Sequence, residues 1–227
     1  NAGDMGFINK KGEWVIEPQY YFADIFNNGY AAARNAKGLF GLIDEKGEWV
    51  IEPQYNSIYY GFDCSYFRAD IDDDDNYIYI NIKNEPLNDK TYHGHVSEAR
   101  FEEGLCAIYD DETGLLGYMN EDGEYVIPPQ FTEAYNFSDG IAAVRKEVDG
   151  KEAWGYIDKS GNVVIDYQYQ DAGNFSSDGI AVVKDDGKWG YIKTDGSWLL
   201  KPQFDKAYSF SNGYATVKLN PGQTIQK

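Results

Sequence analysis

Basic residues are scarce in this chain. Twenty Lys and Arg stand against 38 Asp and Glu in 227 residues, a formal net charge of −18. A surface of that sign repels phosphate backbones and anionic lipid, so neither nucleic acid nor membrane insertion is expected. No apolar stretch is long enough to span a bilayer, and no secretory leader is visible. The chain opens almost directly on a repeat strand, as a trimmed piece would, and Asn1-Ala2 reads as a cloning remnant. The compartment is not legible; the reading leans to an exported or cell-surface setting. Cysteine is limited to Cys64 and Cys106, in non-equivalent places and without Cys-x-x-Cys spacing, so both are expected as free thiols. No Gly-x-Ser-x-Gly elbow, P-loop or dinucleotide fingerprint occurs. No catalytic residue, cofactor or metal is therefore expected.

What is abundant is aromatic and β-prone. Aromatics make up 16% of the chain, with 20 Tyr, too much for a disordered segment. The phrase Lys188-Trp189-Gly190-Tyr191-Ile192-Lys193-Thr194-Asp195-Gly196 returns as Ala153 to Gly161. Weaker copies stand at Leu116 to Gly123, Phe40 to Gly47 and Met5 to Gly12. Internal repetition of this kind decides the fold before any local reading does. Aligned on Ile8, Ile43, Ile80, Met119, Ile157 and Ile192, the steps are 35, 37, 39, 38 and 35 residues.

Within each repeat the aligned strand runs into a turn such as Asp44-Glu45-Lys46-Gly47 or Asp158-Lys159-Ser160-Gly161. The leading Asn or Asp can accept from the backbone ahead, and the closing Gly can take positive φ. In the third repeat Asn84 replaces that Gly, and Asn is the residue that best tolerates the same conformation. A second strand follows (Trp49-Val50-Ile51, Val163-Val164-Ile165) and is expected to end near Pro18, Pro53, Pro129 or Pro202. A recurrent Gln comes next and is expected to satisfy backbone groups at the bend. After a short aromatic segment, Gly opens a strand reading Ala142-x-Val144, Ala181-x-Val183 or Ala215-x-Val217. Its two apolar faces mark an inner strand, and its alanines allow a neighbouring layer to approach closely.

These residues resemble the WG-repeat family. The match lies in Trp154-Gly155-Tyr156-Ile157-Asp158, Trp189-Gly190-Tyr191-Ile192, the Gly-x-x-Val-Ile-x-Pro-Gln-aromatic run and the Phe-x-x-Gly-x-Ala-x-Val run. It covers Gly6 to about Lys218, with the third repeat matching poorly. The resemblance implies bacterial repeat proteins without shared catalytic residues. The expected fold is all-β: six β-meander repeats of 35–39 residues, arranged as a propeller-like ring or an open bent array. Residues 1–227 are expected to form one repeat domain, divided near 5–39, 40–76, 77–115, 116–153, 154–188 and 189–218, with a tail at 219–227. A ring would pair the first strand with the last.

The expected function is non-enzymatic binding or scaffolding of a protein or peptide, with carbohydrate or cell-wall binding as the alternative. Residues that recur in every repeat are explained by folding; recognition needs residues that occur once. These cluster at Arg68, Asp70, Asp72, Asp74, His93, His95 and Arg100. Asp70 to Asn76 could offer oxygens to Ca²⁺, but the loop lacks the Gly and terminal Glu of an EF-hand, so a solvated hairpin tip is preferred. His93-Gly94-His95 lacks a third ligand at recognisable spacing. The alternative rests on an aromatic row at Trp14, Trp49, Tyr125 and Trp198, weighed against packing in the seams between repeats.

Overall fold

A computed structural model describes residues 5–60, 66–74, 76–93, 101–219, 222 and 224–225. Among the described residues every element is a β-strand, and every strand pair is antiparallel. The chain divides into two units, Asn1–Gly104 with Glu121–Gly123, and Leu105–Asn120 with Glu124–Lys227.

In the first unit, β1 (Met5–Ile8) and β2 (Trp14–Tyr20) form a two-stranded sheet. β3 (Phe22–Ala23), β4 (Tyr30–Arg34), β5 (Phe40–Asp44) and β6 (Trp49–Tyr55) form a four-stranded sheet in chain order. β7 (Ser57–Tyr59), β8 (Phe67–Asp70) and β9 (Tyr77–Ile80) form a three-stranded one.

The second unit opens with the sheet of β10 (Leu105–Asp110), β11 (Leu115–Asn120) and β12 (Tyr125–Phe131). Two four-stranded sheets follow. One holds β13 (Glu133–Ala134), β14 (Ile141–Val148), β15 (Lys151–Asp158) and β16 (Val163–Tyr169). The other holds β17 (Asp171–Ala172), β18 (Ile180–Asp185), β19 (Lys188–Lys193) and β20 (Trp198–Phe204). β21 (Lys206–Ala207) and β22 (Val217–Lys218) pair with each other. Among the described residues, the first and last strands belong to separate two-stranded sheets, β1 with β2 and β21 with β22.

A complete sheet therefore begins midway through a sequence repeat. Its order is the short aromatic segment, the Ala-x-Val strand, the Trp-Gly strand and the Val-Ile-x-Pro-Gln strand. The inner Ala-x-Val strand uses both faces. Ala31, Ala33 and Ile43 pack back onto Ile16 and Tyr20 of the preceding sheet. Ala32, Leu42 and Ile51 pack forward with Phe67 and Ala69 of the next. The second unit repeats this: Ala143, Tyr156 and Ile165 meet Ala181, Val183 and Ile192. Each fully buried Ile or Val contributes about 1.5–3 kcal/mol.

The glycine of the Trp-Gly pair has a backbone reason. A Cβ on Gly41 would stand 2.3 Å from the Ile51 carbonyl oxygen and 2.9 Å from Pro53 N. The strand opposite bulges there, pairing Phe40 with Tyr55 but Leu42 with Ile51. This corrects the expected strand end: β6 continues through Pro53 to Tyr55. Proline is tolerated because this is the outer strand of the sheet and the bulge lies at the proline. The recurrent Gln serves the same bulge, as Gln54 and Gln203 donate to the Glu52 and Lys201 carbonyls at 3.4 and 3.1 Å.

The hairpin turn joins neighbouring sheets. Gly47 has φ 82, and a Cβ on it would lie 2.8 Å from Ile16 Cγ2 of the preceding sheet. Tyr20 donates its hydroxyl to the Gly47 carbonyl at 2.7 Å. In the next sheet Asn84, at φ 63, stands in the same place, and Tyr55 donates to its Oδ1 at 2.6 Å.

Candidate functional site

The irregular stretch departs from this scheme at its central strand. By register, Arg68 opposite Tyr79 occupies the position of Ala32 opposite Leu42, Ala107 opposite Tyr118, Ala143 opposite Tyr156 and Val182 opposite Tyr191. These four sheets put a small apolar residue there, and the last repeat puts Thr216 there. Arg68 is only 7% exposed. Its Nε donates to Asp70 Oδ1 at 2.6 Å, and its guanidinium lies over the Tyr77 ring at 4.0 Å and the Tyr59 ring at 5.2 Å. A planar cation held between two aromatic faces and a carboxylate is well matched in geometry and charge. Tyr59 remains 54% exposed.

Two further substitutions accompany it. Phe67 fills the slot that alanine holds in the regular strands, and it is buried. Ile78 faces Ala69 where the repeat places glycine. The outer segment beside β9 is irregular: Tyr77 bridges to Tyr92 and Ile80 to Pro86, the positions at which Phe40 meets Tyr55 and Ile43 meets Trp49, without a continuous strand between them. Tyr92 exchanges backbone hydrogen bonds with Tyr77 at 2.9 and 2.8 Å and stacks on its ring at 5.7 Å, and both Tyr92 and Phe101 pack on Tyr79 at 5.4 and 5.2 Å.

The acidic run beside Arg68 is a structured turn. Asp72 Oδ1 accepts from the Asp74 and Asn76 amides at 3.0 and 3.2 Å, and Oδ2 from Asn76 Nδ2 at 2.6 Å. These bonds, the Asn76 side chain first, hold the Asp72 carboxyl below the usual carboxylate range. Asp73 accepts from Asn56 Nδ2 at 2.7 Å, and His93 Nδ1 is bonded to Asn76 Oδ1. Asp74 and His93 are exposed. The structure thus brings Arg68, Asp70, Asp72, Asp74 and His93 into one hairpin and its flank. His95 and Arg100, like Cys64, lie outside the described residues. Cys106 is buried in β10. Among the described residues no three His, Cys, Asp or Glu side chains are grouped to hold a metal ion.

The aromatic row divides. Trp49 packs edge-on against Tyr20 of the preceding sheet at 5.5 Å, and Trp198 against Tyr169 at 6.0 Å. Trp14, in the first sheet, is 52% exposed, and Tyr125 is also exposed. Sequence reasoning singled out Arg68 but missed its platform, Tyr59 and Tyr77. A signal existed: Tyr77 stands in the Trp slot of the repeat that also loses its glycine.

It also missed a tie that recurs in the second unit. Tyr118, Tyr156 and Tyr191 donate to the carbonyls of Tyr135, Gly173 and Tyr208 at 2.6, 2.8 and 2.9 Å. Burial pushes the Tyr118 and Tyr156 phenols well above the usual 10.

A family model described as WG containing repeat matches residues 5–37, 40–73, 117–151, 154–189 and 189–220. The chain belongs to the WG containing repeat family. The WG matches leave out 74–116, the stretch in which Ile78 replaces the glycine. No curated protein matches the chain.

Among solved structures, a crystal structure of the eukaryotic initiation factor is similar with a TM-score of 0.55 at 11% identity. The match covers 84% of this WG chain and 55% of that one, so the likeness is one of fold over about half the other protein's length. Kluyveromyces lactis Hsv2p matches with a TM-score of 0.48 at 8% identity, covering 78% of this chain and 61% of that one. The WD40 β-propeller domain of Doa1 matches with a TM-score of 0.38 at 14% identity, covering 86% and 80%.

Proposed function

We propose that this WG containing repeat chain is a non-enzymatic binding module for a protein or peptide, with recognition on the Arg68 face. The observation that carries this reading is a buried arginine where four other repeats hold alanine or valine. Burying a cation in a slot that alanine fills elsewhere is costly unless its partners are arranged for it. Filling the slot does not require such an arrangement, since alanine or valine fills it in four other sheets. Its exposed surroundings, Tyr59, Asp74 and His93, suit an extended segment carrying basic side chains, which the net charge of −18 would also steer inward.

Carbohydrate binding through the aromatic row is the second reading. It is favoured by the exposure of Trp14 and Tyr125, while Trp49 and Trp198 are engaged in seams. The test is selection of binders from a displayed peptide library and from an oligosaccharide array. Affinity is then measured for the unaltered chain, for Arg68→Ala, and for a chain with 70–76 replaced by a Gly-Asn turn. Peptide binding that falls at least about tenfold in both variants supports the reading, a loss of ~1.4 kcal/mol. Undiminished binding places recognition on the regular repeats. Turnover of a polysaccharide or peptide panel by the pure protein overturns the non-enzymatic assignment.

A further inference from the structure

Arg34 of β4 holds the place in its sheet that Arg145 of β14 holds in another. By register Arg34 lies between Phe22 and Phe40, and Arg145 between Glu133 and Trp154. Arg145 is paired twice, Nη1 with Glu133 and Nη2 with Glu152. The sheet of Arg34 keeps neither carboxylate. Phe22 stands for Glu133, and Gly38 stands two residues before Phe40 as Glu152 stands two before Trp154. What Arg34 has instead is the Phe40 ring, 5.8 Å from its guanidinium carbon. Its Nε is buried and donates to no group. β4 is an inner strand packed on both faces by sheets of the same unit, so this environment is set by the fold around it.

The charge around Arg34 is as singular as its pairing. Residues 34–40 hold Arg34 and Lys37 and no Asp or Glu, whereas the same hairpin at 70–77, 109–116, 145–154 and 184–189 holds at least two each time. Even the turn residue is neutral: Asn35 Oδ1 accepts from the Lys37 and Leu39 amides at 2.9 and 3.1 Å. Within a chain at −18 this hairpin is a local patch of positive sign. Lys37 is exposed, Phe22 is 37% exposed and Phe40 is half-buried, so apolar rings stand beside the cation at the surface.

A guanidinium drawn out of water without a counter-charge is costly, and a carboxylate is the group its planar fork matches with two parallel hydrogen bonds. A polyanion such as nucleic acid meets the repulsive field of the whole chain, while a single carboxylate meets far less of it. We propose that Arg34, Lys37, Phe22 and Phe40 form a second recognition site, for one Asp or Glu side chain of a peptide with apolar neighbours. The carboxylate takes the part that Glu133 plays for Arg145, and an apolar neighbour covers Phe22. The site is opposite in sign to the Arg68 face and stands independently of it.

The test uses two blocked pentapeptides, Gly-Leu-Glu-Leu-Gly and Gly-Leu-Gln-Leu-Gly, titrated while the Arg34 Nε–H resonance is followed by nitrogen–proton correlation. The Glu peptide should shift that resonance and bind at least about tenfold more tightly than the Gln peptide. Arg34→Gln should abolish the difference. Phe22→Glu supplies from within the carboxylate that the equivalent sheet carries. It should therefore shift the same resonance without peptide and weaken Glu-peptide binding at least about tenfold. Arg145→Gln removes the same charge from a place where carboxylates already pair it, and should leave binding unchanged. Circular dichroism checks that each variant folds. Equal affinity for the two peptides, or no binding of either, overturns the proposal. So does Glu-peptide binding that survives Arg34→Gln, because the peptide then sits elsewhere. A fall as large in Arg145→Gln overturns it too, since net charge alone then accounts for the effect. Inorganic phosphate bound more tightly than the Glu peptide overturns the assignment to a carboxylate.

Discussion

The sheet of β17 to β20 and the sheet of β7 to β9 come from the same repeat and solve the same packing problem differently. In the first, Gly190 lets a bulged proline strand close over the Trp-Gly strand, Val182 fills the central slot, and Tyr191 ties across to the Tyr208 carbonyl. In the second, Ile78 replaces the glycine, the outer segment meets β9 at isolated bridges (Tyr77 with Tyr92, Ile80 with Pro86) in place of a continuous strand, and an arginine between tyrosines occupies the central slot. The glycine and the close, continuous approach of the bulged strand thus go together: where a Cβ stands in its place, the outer pairing is reduced to its two ends. With that constraint loosened, singular residues can accumulate there.

The sharpest way to break the comparison is to add one carbon. A Cβ on Gly190 would stand 2.7 Å from the Leu200 carbonyl oxygen and 2.9 Å from Pro202 N, both backbone atoms that cannot rotate away. Gly190→Ala is expected to cost about 2–3 kcal/mol. At Ile78 the sign reverses, since removing carbon with Ile78→Ala loses packing and relieves nothing. Urea midpoints of the two variants measure this; a Gly190→Ala change within about 0.5 kcal/mol would sink the account of the glycine.

Arg68 gives the next largest effect. Arg68→Ala restores the residue that other repeats carry, yet it leaves Asp70 without its Nε partner and the tyrosine platform without its cation. A loss of about 1–3 kcal/mol is expected, at the low end because Tyr59 opens the site to water. Arg68→Lys should recover part of it, as an ammonium keeps the charge but not the planar stacking. Equal stability of Arg68→Ala and the unaltered chain would make the slot tolerant rather than built.

The regular repeats were legible because their signals are local and repeated. An Asn or Asp followed by Gly three residues on encodes the same turn at Asn9, Asn35, Asp44 and Asp158, and Ala-x-Val encodes an inner strand. The proline was misplaced because a β-bulge is set by the strand opposite, which one strand's sequence does not reveal. Arg68 was visible as a residue occurring once. Its platform was not, because Tyr59 and Tyr77 reach it through strand pairing on either side of β8, and no spacing rule announces that.

The tyrosine ties sharpen the comparison from the regular side. Leu42 stands in the slot of Tyr156 without a hydroxyl, so the bond to Gly173 is an addition to packing. Tyr156→Phe is expected to cost about 0.5–1.5 kcal/mol. Alkali tests the same group. Its phenol is raised by burial above the usual 10, so the folded state holds a proton that the unfolded chain gives up near pH 10. The stability this represents is intact below that pH and is lost as pH rises through the folded value. Tyr156→Phe should therefore lessen the alkaline fall in melting temperature above pH 10; an unchanged slope would remove burial of this phenol as its cause.

The smallest effect lies in the turns, where Asp and Asn alternate between repeats. Asp44 Oδ1 accepts from the Lys46 and Glu48 amides at 2.9 and 3.0 Å, and the Glu48 amide is the main cause holding its carboxyl below the usual 3.8. Asn9 makes the equivalent bonds to Lys11 and Glu13 with a neutral amide, at 2.9 and 3.1 Å. A lowered folded value means stability that is present above the usual 3.8 and is lost as pH falls through the folded value. Asp44→Asn should therefore leave the turn intact at neutral pH and flatten the acid limb of the melting curve below about pH 4. Removing one charge from a chain at −18 also relieves repulsion at neutral pH. Asp166→Asn, at an exposed strand position outside the turns, isolates that contribution. If the two substitutions change the acid limb equally, the turn carboxylate has no role of its own there and only net charge is at work.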